Sequence, residues 1–512
     1  MAGKKFFKAV FILTIFSLIT RALGFVFRIY ISRQISASQL GIYQIVTSIF
    51  GIFLAVVSSG LPIIISRKTA EFDVEKNKEK ESRFMLASLI VGLLFSTVCC
   101  AFIFIFKGPL VRFAGSEEMY FLLIILMPAI IFSSIYSVFR GNFWGHQNYF
   151  WVCFIELIEQ VVRIIITFLI INKIAGAFGK TIAITLSLSI ACIISGIFSL
   201  IVYFARGGRL KGPKNNFKYI LKSSTPITVM RVLESLVQPL ITIIIPLRLI
   251  ASGITQQAAL ADVGIVMGMT FPLLFIPSAL VGSMATALIP EISAKNFEGQ
   301  NEDVKKQILS SFNFAIICSF ILIPVYMALG EQIGVILYKN AQSGIYLKAS
   351  AFLMVPICAN SIAVSTLNSL SLEIKSFRNY ILGAALMILS IWFLPKYIGV
   401  YALAVGMGLC LITALLLNIR MINKKLHSKI NIFPIIFKLV LFSCFLVYIT
   451  KFTFNILSRF LPLFISTAAS GMLCLVLFAL LLDAFDILKI FNIIVFVKRR
   501  IFKLSKKREM NN

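Results

Sequence analysis

Apolar residues run in stretches of membrane-spanning length along the whole chain, broken by short polar segments. A helix crossing a hydrocarbon layer of about 30 Å needs about 20 such residues. The pattern predicts helices at 8–33, 41–66, 84–106, 120–140, 148–172, 180–204, 222–249, 261–290, 307–329, 346–370, 378–395, 399–421, 433–450 and 462–484. The weakest division lies within 378–421, where Pro395, Lys396 and Gly399 supply the only break. The prediction is an all-α polytopic membrane protein of about 14 transmembrane helices.

Composition sharpens this picture. Of 512 residues, 59% are apolar and only 13% charged, against about 25% charged in a soluble domain. Mean hydropathy is +0.96, and no hydrophilic stretch is long enough to fold as a separate soluble domain. Met1 to Phe7 lead into an apolar segment without a small-residue cleavage site, so no cleaved signal peptide is expected.

The net charge of +29 would suit nucleic acid, but its distribution follows topology instead. One set of alternate loops and termini, with Arg140, carries 33 Lys and Arg, and the other set carries 10. The positive-inside rule then places both termini in the cytoplasm, which requires an even number of helices. No soluble domain presents the basic clusters, so no nucleic-acid partner is expected. The segment from Asp486 to Lys507 reads either as a basic amphipathic helix on an anionic leaflet or as a topogenic tail. The nine cysteines sit almost entirely inside apolar runs, without metal-ligand spacing. They read as apolar filler, and neither a metal nor a disulfide is expected.

The chain repeats weakly at an offset of 228 residues. Gly60-Leu61-Pro62 falls against Leu288-Ile289-Pro290, Met127-Pro128 against Val355-Pro356, and Arg140-Gly141-Asn142 against Asn368-Ser369-Leu370. Six helices per half make the repeat parallel, which predicts two six-helix lobes around a central cavity. The expected division is an N-terminal lobe (1–204), a cytoplasmic linker (205–222), a C-terminal lobe (223–421), two further helices (433–484) and a basic cytoplasmic tail (485–512).

Charges inside the spans mark candidate chemistry, because an arginine at bilayer depth is costly and usually faces a watery cavity. Arg21 and Arg28 lie seven residues apart on the first helix, about 20° apart around its axis. Gly24 between them leaves room for a ligand to approach the backbone. Stacked guanidinium groups suit a phosphate or pyrophosphate. Arg33, nearer the helix end, reads as snorkelling to the interface. Arg231 and Gln238 repeat the seven-residue spacing on the seventh helix. Glu234, one turn from Arg231, is placed to neutralise it. The fifth helix carries Glu156, Glu159, Gln160 and Arg163. Glu159 and Arg163 have the spacing of a helix ion pair that braces the lobe, and Glu156 and Glu159 are candidates for proton coupling.

No G-x-x-x-x-G-K-[ST] phosphate loop occurs. The short outer loops hold no His/Asp/Glu cluster for metal or general-base chemistry, so no enzyme and no cofactor is expected. Gly264 and Gly268 form a small-xxx-small pair that reads as helix packing.

Ile19-Thr20-Arg21-Ala22-Leu23-Gly24-Phe25, Gly41-Ile42-Tyr43, and Gly60-Leu61-Pro62 through Ile65-Ser66-Arg67 with Ala70-Glu71 resemble a known family. It is the stage V sporulation protein B branch of polysaccharide exporters. That branch lies in the multidrug/oligosaccharidyl-lipid/polysaccharide (MOP) superfamily, which includes the lipid II flippases. Arg140-Gly141-Asn142-Phe143-Trp144-Gly145 and Glu159-Gln160-x-x-Arg163 extend the resemblance. It implies two six-helix bundles in a V around a cavity, with helices thirteen and fourteen forming a groove for a lipid tail. Arg21, with Arg28, would be the cavity arginine; the second helix, 41–66, has no internal arginine.

The function expected is a flippase of the bacterial cell membrane, translocating an undecaprenyl-pyrophosphate-linked peptidoglycan precursor, lipid II-like, or a related lipid-linked oligosaccharide. Alternating access, a role in spore cortex synthesis and cell-wall synthesis proteins as partners go with that expectation. Three alternatives stand beside it. A cation-coupled multidrug antiporter of the same fold would want intramembrane carboxylates. A glycosyltransferase would need outer-loop carboxylates, for which Glu117-Glu118 is the only adjacent pair. A non-transporting sporulation membrane protein would be indifferent to Arg21.

Overall fold

The computed structural model describes residues 2–174, 176–212, 216–298, 301–426 and 430–487. The tail expected to form an amphipathic helix lies almost wholly outside the described residues. The long elements, in chain order, are α1 (Ala2–Gln34), α2 (Ala37–Val74), α3 (Lys78–Ile105), α4 (Glu117–Gly145), α5 (Tyr149–Ile170), α6 (Ala177–Ala205) and α7 (Phe217–Ala251). They continue with α8 (Gln256–Leu274, continued beyond Phe275 by the helix Ile276–Phe297), α9 (Asn301–Tyr338), α10 (Ala341–Ser369), α11 (Glu373–Phe393), α12 (Tyr401–Leu426), α13 (Phe433–Leu457) and α14 (Leu463–Ala484). Among the described residues, thirteen helices are long and apolar enough to cross a membrane. The other is α5, whose 22 residues are long enough for a span of about 33 Å but include Glu156, Glu159 and Arg163. The charges that mark it as a candidate site keep it from looking like an ordinary span.

Several helices are broken where the sequence dictates. In α2 the break falls at Ser59, three residues before Pro62. In α4 it falls at Leu126 before Pro128, and in α10 at Ala351–Leu353 before Pro356. Proline donates no N–H and crowds the carbonyl four residues back, which loosens the preceding turn. The α4 and α10 breaks recur at corresponding places in the 228-residue repeat. The doubtful division between α11 and α12 is made by a short helix, Pro395–Ile398, and by Gly399 at φ 57°.

The chain divides by contacts into two compact units. One comprises Met1–Pro272 with Leu386–Gly406, and the other Leu273–Ala385 with Met407–Asn512. The division falls at Pro272, beyond the basic loop at 205–222, so α7 packs with the helices that precede it.

In the first unit α2 is the central post, packed against α4, α7 and α8. No hydrophobic force drives helices together in lipid, so close packing of small residues must do it. A Cβ on Gly41 would lie 2.0 Å from the Leu260 carbonyl oxygen, and one on Gly264 would lie 2.0 Å from that of Ala37. Gly268 meets the Leu40 side chain at 2.6 Å in the same sense. The helix around this contact widens into a π-helical segment, Gly264–Thr270. Apolar clusters of described residues pack inside the unit. One is built around Ile45, Ile49, Leu123 and Ile130, another around Ile65, Met85, Phe139 and Phe143.

In the second unit α9 packs against α10, α13 and α14. Gly344 meets the Gly330 backbone as closely as Gly41 meets Leu260. A ladder of buried amides crosses three helices. Asn379 Nδ2 donates to Asn418 Oδ1 at 2.9 Å, and Asn360 Nδ2 donates to the Leu411 carbonyl at 2.6 Å. On α13, Phe433, Phe437, Leu441, Phe445, Tyr448 and Phe452 form one exposed stripe at helical spacing, the face a membrane helix turns to lipid.

Candidate functional site

The site is built on α5. Glu156, Glu159, Gln160 and Arg163 are spaced by three, four and seven, which confines them to one face about 100° wide. That face meets α1 and α4. A Cβ on Gly24 would sit 3.9 Å from Gln160 Nε2, which places α1 against the α5 face at this position. Arg163 stacks over the Phe27 ring at 4.6 Å. No ion pair joins Arg163 to Glu159 within 4 Å among the described residues, so the expected i,i+4 brace is not formed. The guanidinium prefers the aromatic face of α1, and Glu159 sits beside Ser195 of α6.

Two participants come from α4. Tyr136 donates its hydroxyl to Glu156 Oε1 at 3.2 Å. Arg140 lies between two aromatic rings of its own helix, 5.5 Å from the Tyr136 centroid and 5.0 Å from that of Trp144. Its Nη2 donates to the Ser58 carbonyl at 3.1 Å. Ser58 precedes Pro62 by four residues, so the helical donor that would serve this carbonyl does not exist. Arg140 takes that donor's place. The sequence held this signal in the proline at i+4 and the aromatics four residues either side of Arg140, but it becomes legible only once α2 and α4 are neighbours.

Three donors in this cluster have no acceptor among the described residues: Arg140 Nε, Gln160 Nε2 and Arg163 Nε, all buried. Buried donors are nearly always paired in folded proteins, and three in one cluster suit an anionic or acceptor-rich ligand. Arg21 and Arg28 are exposed on α1 and flank the Gly24 position along that helix. The four charges contributed by α4 and α5 cancel. Arg21 and Arg28 add two positive charges on α1.

On α7 the expected pairing of Arg231 with Glu234 is formed. Arg231 Nη1 donates to Glu234 Oε2 at 2.9 Å, with the arginine more than half exposed. Gln238 Nε2 donates to Met267 Sδ at 3.6 Å, tying α7 to the π-helical segment of α8. Ser48 and Thr242 hydroxyls, 2.8 Å apart, tie α7 to α2.

Among the described residues, fourteen helices long enough to cross a membrane, with a charged cluster in the first unit, define a polytopic membrane protein. The polysaccharide biosynthesis protein family matches residues 6–295, more than half of the chain, and the chain belongs to that family. It is similar to stage V sporulation protein B of Bacillus subtilis (strain 168), 24% identical over 450 residues, covering 84% of this chain and 86% of that protein. Lipid II flippase MurJ of the same organism is 24% identical over 357 residues, 64% of each chain. Among solved structures, lipid II flippase MurJ in an inward closed conformation has the same fold. Its TM-score is 0.68 at 16% identity, and the match covers 93% of this chain and 99% of that one.

Proposed function

We propose that this protein is a flippase that carries an undecaprenyl-pyrophosphate-linked glycan, a lipid II-like peptidoglycan precursor, across the bacterial cell membrane by alternating access. Both termini lie in the cytoplasm in this reading, and the physiological role is spore cortex synthesis. The observation that carries it is the cationic α1 face of Arg21 and Arg28 beside three buried donors without acceptors among the described residues. A pyrophosphate offers several anionic oxygens to such donors and gains charge-assisted hydrogen bonds from them. The names of the sequence relatives point the same way. The substrate leaves chemically unchanged, so no catalytic residue is assigned.

The carboxylates of α5 favour a second reading, a cation-coupled multidrug antiporter. Glu156, held by Tyr136, would then bind the cationic drug or its counter-ion. The two readings differ in which charge matters to the substrate.

The test is outer-face exposure of lipid-linked precursor in cells where this protein is the sole flippase. Losing one charge-assisted contact of about 1.5–3 kcal/mol should cut the exposure rate at least tenfold in Arg21→Ala. Precursor exposure equal to wild type in a well-expressed Arg21→Ala would remove the arginine from the mechanism.

A further inference from the structure

A cavity of about 690 Å³ opens on the basic-loop side of the first unit, where the end of α6 meets the first turn of α3. Lys78, Arg206, Arg209 and Lys211 line it. Three carboxylates line it as well, but each is already engaged. Glu81 Oε1 accepts from Asn142 Nδ2 at 2.6 Å and lies 2.8 Å from His146 Nε2. Asp73 lies 3.4 Å from His146 Nδ1, and Glu79 accepts from Arg83 at 2.7 Å and faces Lys211 at 3.8 Å. No ion pair within 4 Å engages Lys78, Arg206 or Arg209 among the described residues. The cations are in surplus where the anions are satisfied.

An independent observation points to a ligand. Ser82 also lines this cavity, is 4% exposed, and its Oγ has no hydrogen-bond partner among the described residues. A serine inside a helix can usually bond a carbonyl of the preceding turn, and this one does not. The wall is also held in shape: the Tyr203 hydroxyl donates to the Arg209 carbonyl at 2.9 Å, and Gly207 turns the chain at φ 83°.

We propose that this cavity is an anion site that binds a phosphate group, carried by the headgroup of an anionic lipid or by a soluble phosphate compound. Arg206, Arg209 and Lys78 supply the charge, the Ser82 hydroxyl supplies a further donor, and the first turn of α3 adds its dipole. The site is separate from the α1–α5 cluster, and its occupancy can be measured without any transport.

The test uses the purified full chain. Inorganic phosphate binding is followed in detergent by calorimetry. Retention of phosphatidylglycerol over phosphatidylcholine is followed by native mass spectrometry from mixed bilayers. Arg206→Gln/Arg209→Gln should weaken whichever ligand binds at least tenfold, and Ser82→Ala should weaken it severalfold with no change of charge. Lys218→Gln/Lys222→Gln, which removes two charges from the first turns of α7 outside the cavity, should change it less than twofold. Phosphate binding alone identifies a soluble ligand, and selective lipid retention alone identifies a headgroup; both support the site. Wild type binding neither, or equal losses in the control and Ser82→Ala matching wild type, would overturn it. Thermal melting of each variant separates loss of the site from loss of the fold, and Ser82→Ala carries the test if the double variant unfolds.

Discussion

Arg140 shows how one residue can serve both structure and site. It replaces the helical donor that Pro62 denies to the Ser58 carbonyl, and an unpaired buried carbonyl costs about 1–3 kcal/mol. Arg140→Met should therefore lower the melting temperature, and Pro62→Ala, which restores the missing N–H, should recover part of that loss in the double variant. Strict additivity of the two substitutions would show that Arg140 is not answering Pro62. His146 is the other residue with a definite expectation. Its pKa lies above the ordinary 6.5 because it hydrogen-bonds Glu81. Burial opposes the shift, the Glu81 and Asp73 charges reinforce it, and Arg206 opposes it. A raised folded-state pKa gives stability that is fully present below the unfolded value and is lost as pH rises through the folded one. The stability gap between wild type and His146→Gln should thus be widest below about pH 6.5 and shrink above the raised value. A gap that widens with rising pH would contradict the contact. Neither role was legible in the sequence. Glu81 is more than sixty residues from Asn142 and His146 along the chain, and no spacing rule joins it to them.

Among elements, hydropathy alone located every long helix, because twenty apolar residues in a row have few other uses. The breaks were less visible. Proline marked those in α2, α4 and α10, whereas the π-helical segment of α8 had no such marker beyond its glycines. Gly264 and Gly268 read correctly as packing residues, and their partners on α2 emerged only with the fold. Gly264→Ala places a Cβ 2.0 Å from the Ala37 carbonyl, an overpacking that costs about 1–3 kcal/mol or more. It should reduce the yield of monodisperse protein, while Gly51→Ala, whose Cβ meets nothing within 4 Å, should leave it unchanged. Equal yields would argue that α2 and α8 separate more easily than their contact implies. The α5 face read correctly as polar, but the spacing of Glu159 and Arg163 suggested a brace that Phe27 prevents by offering the guanidinium a ring.

For the whole molecule, charge asymmetry between loops predicts the orientation, and accessibility labelling of single cysteines tests it. A cysteine at Ser371, in a basic loop, should react from the cytoplasmic side, and one at Ser458 from the outside. The reverse pattern would invert the assignment and move the Arg206–Arg209 cavity to the outer face. The central claim concerns what the α1 arginines hold. The most direct measurement is translocation of a fluorescent undecaprenyl-pyrophosphate-linked glycan by the purified protein in proteoliposomes, comparing wild type, Arg21→Ala and Arg28→Ala. The account predicts translocation by wild type and a loss of at least tenfold in Arg21→Ala at equal protein incorporation. Efflux of a cationic drug that needs Glu156 but neither arginine, with the lipid-linked glycan left in its original leaflet, would contradict it.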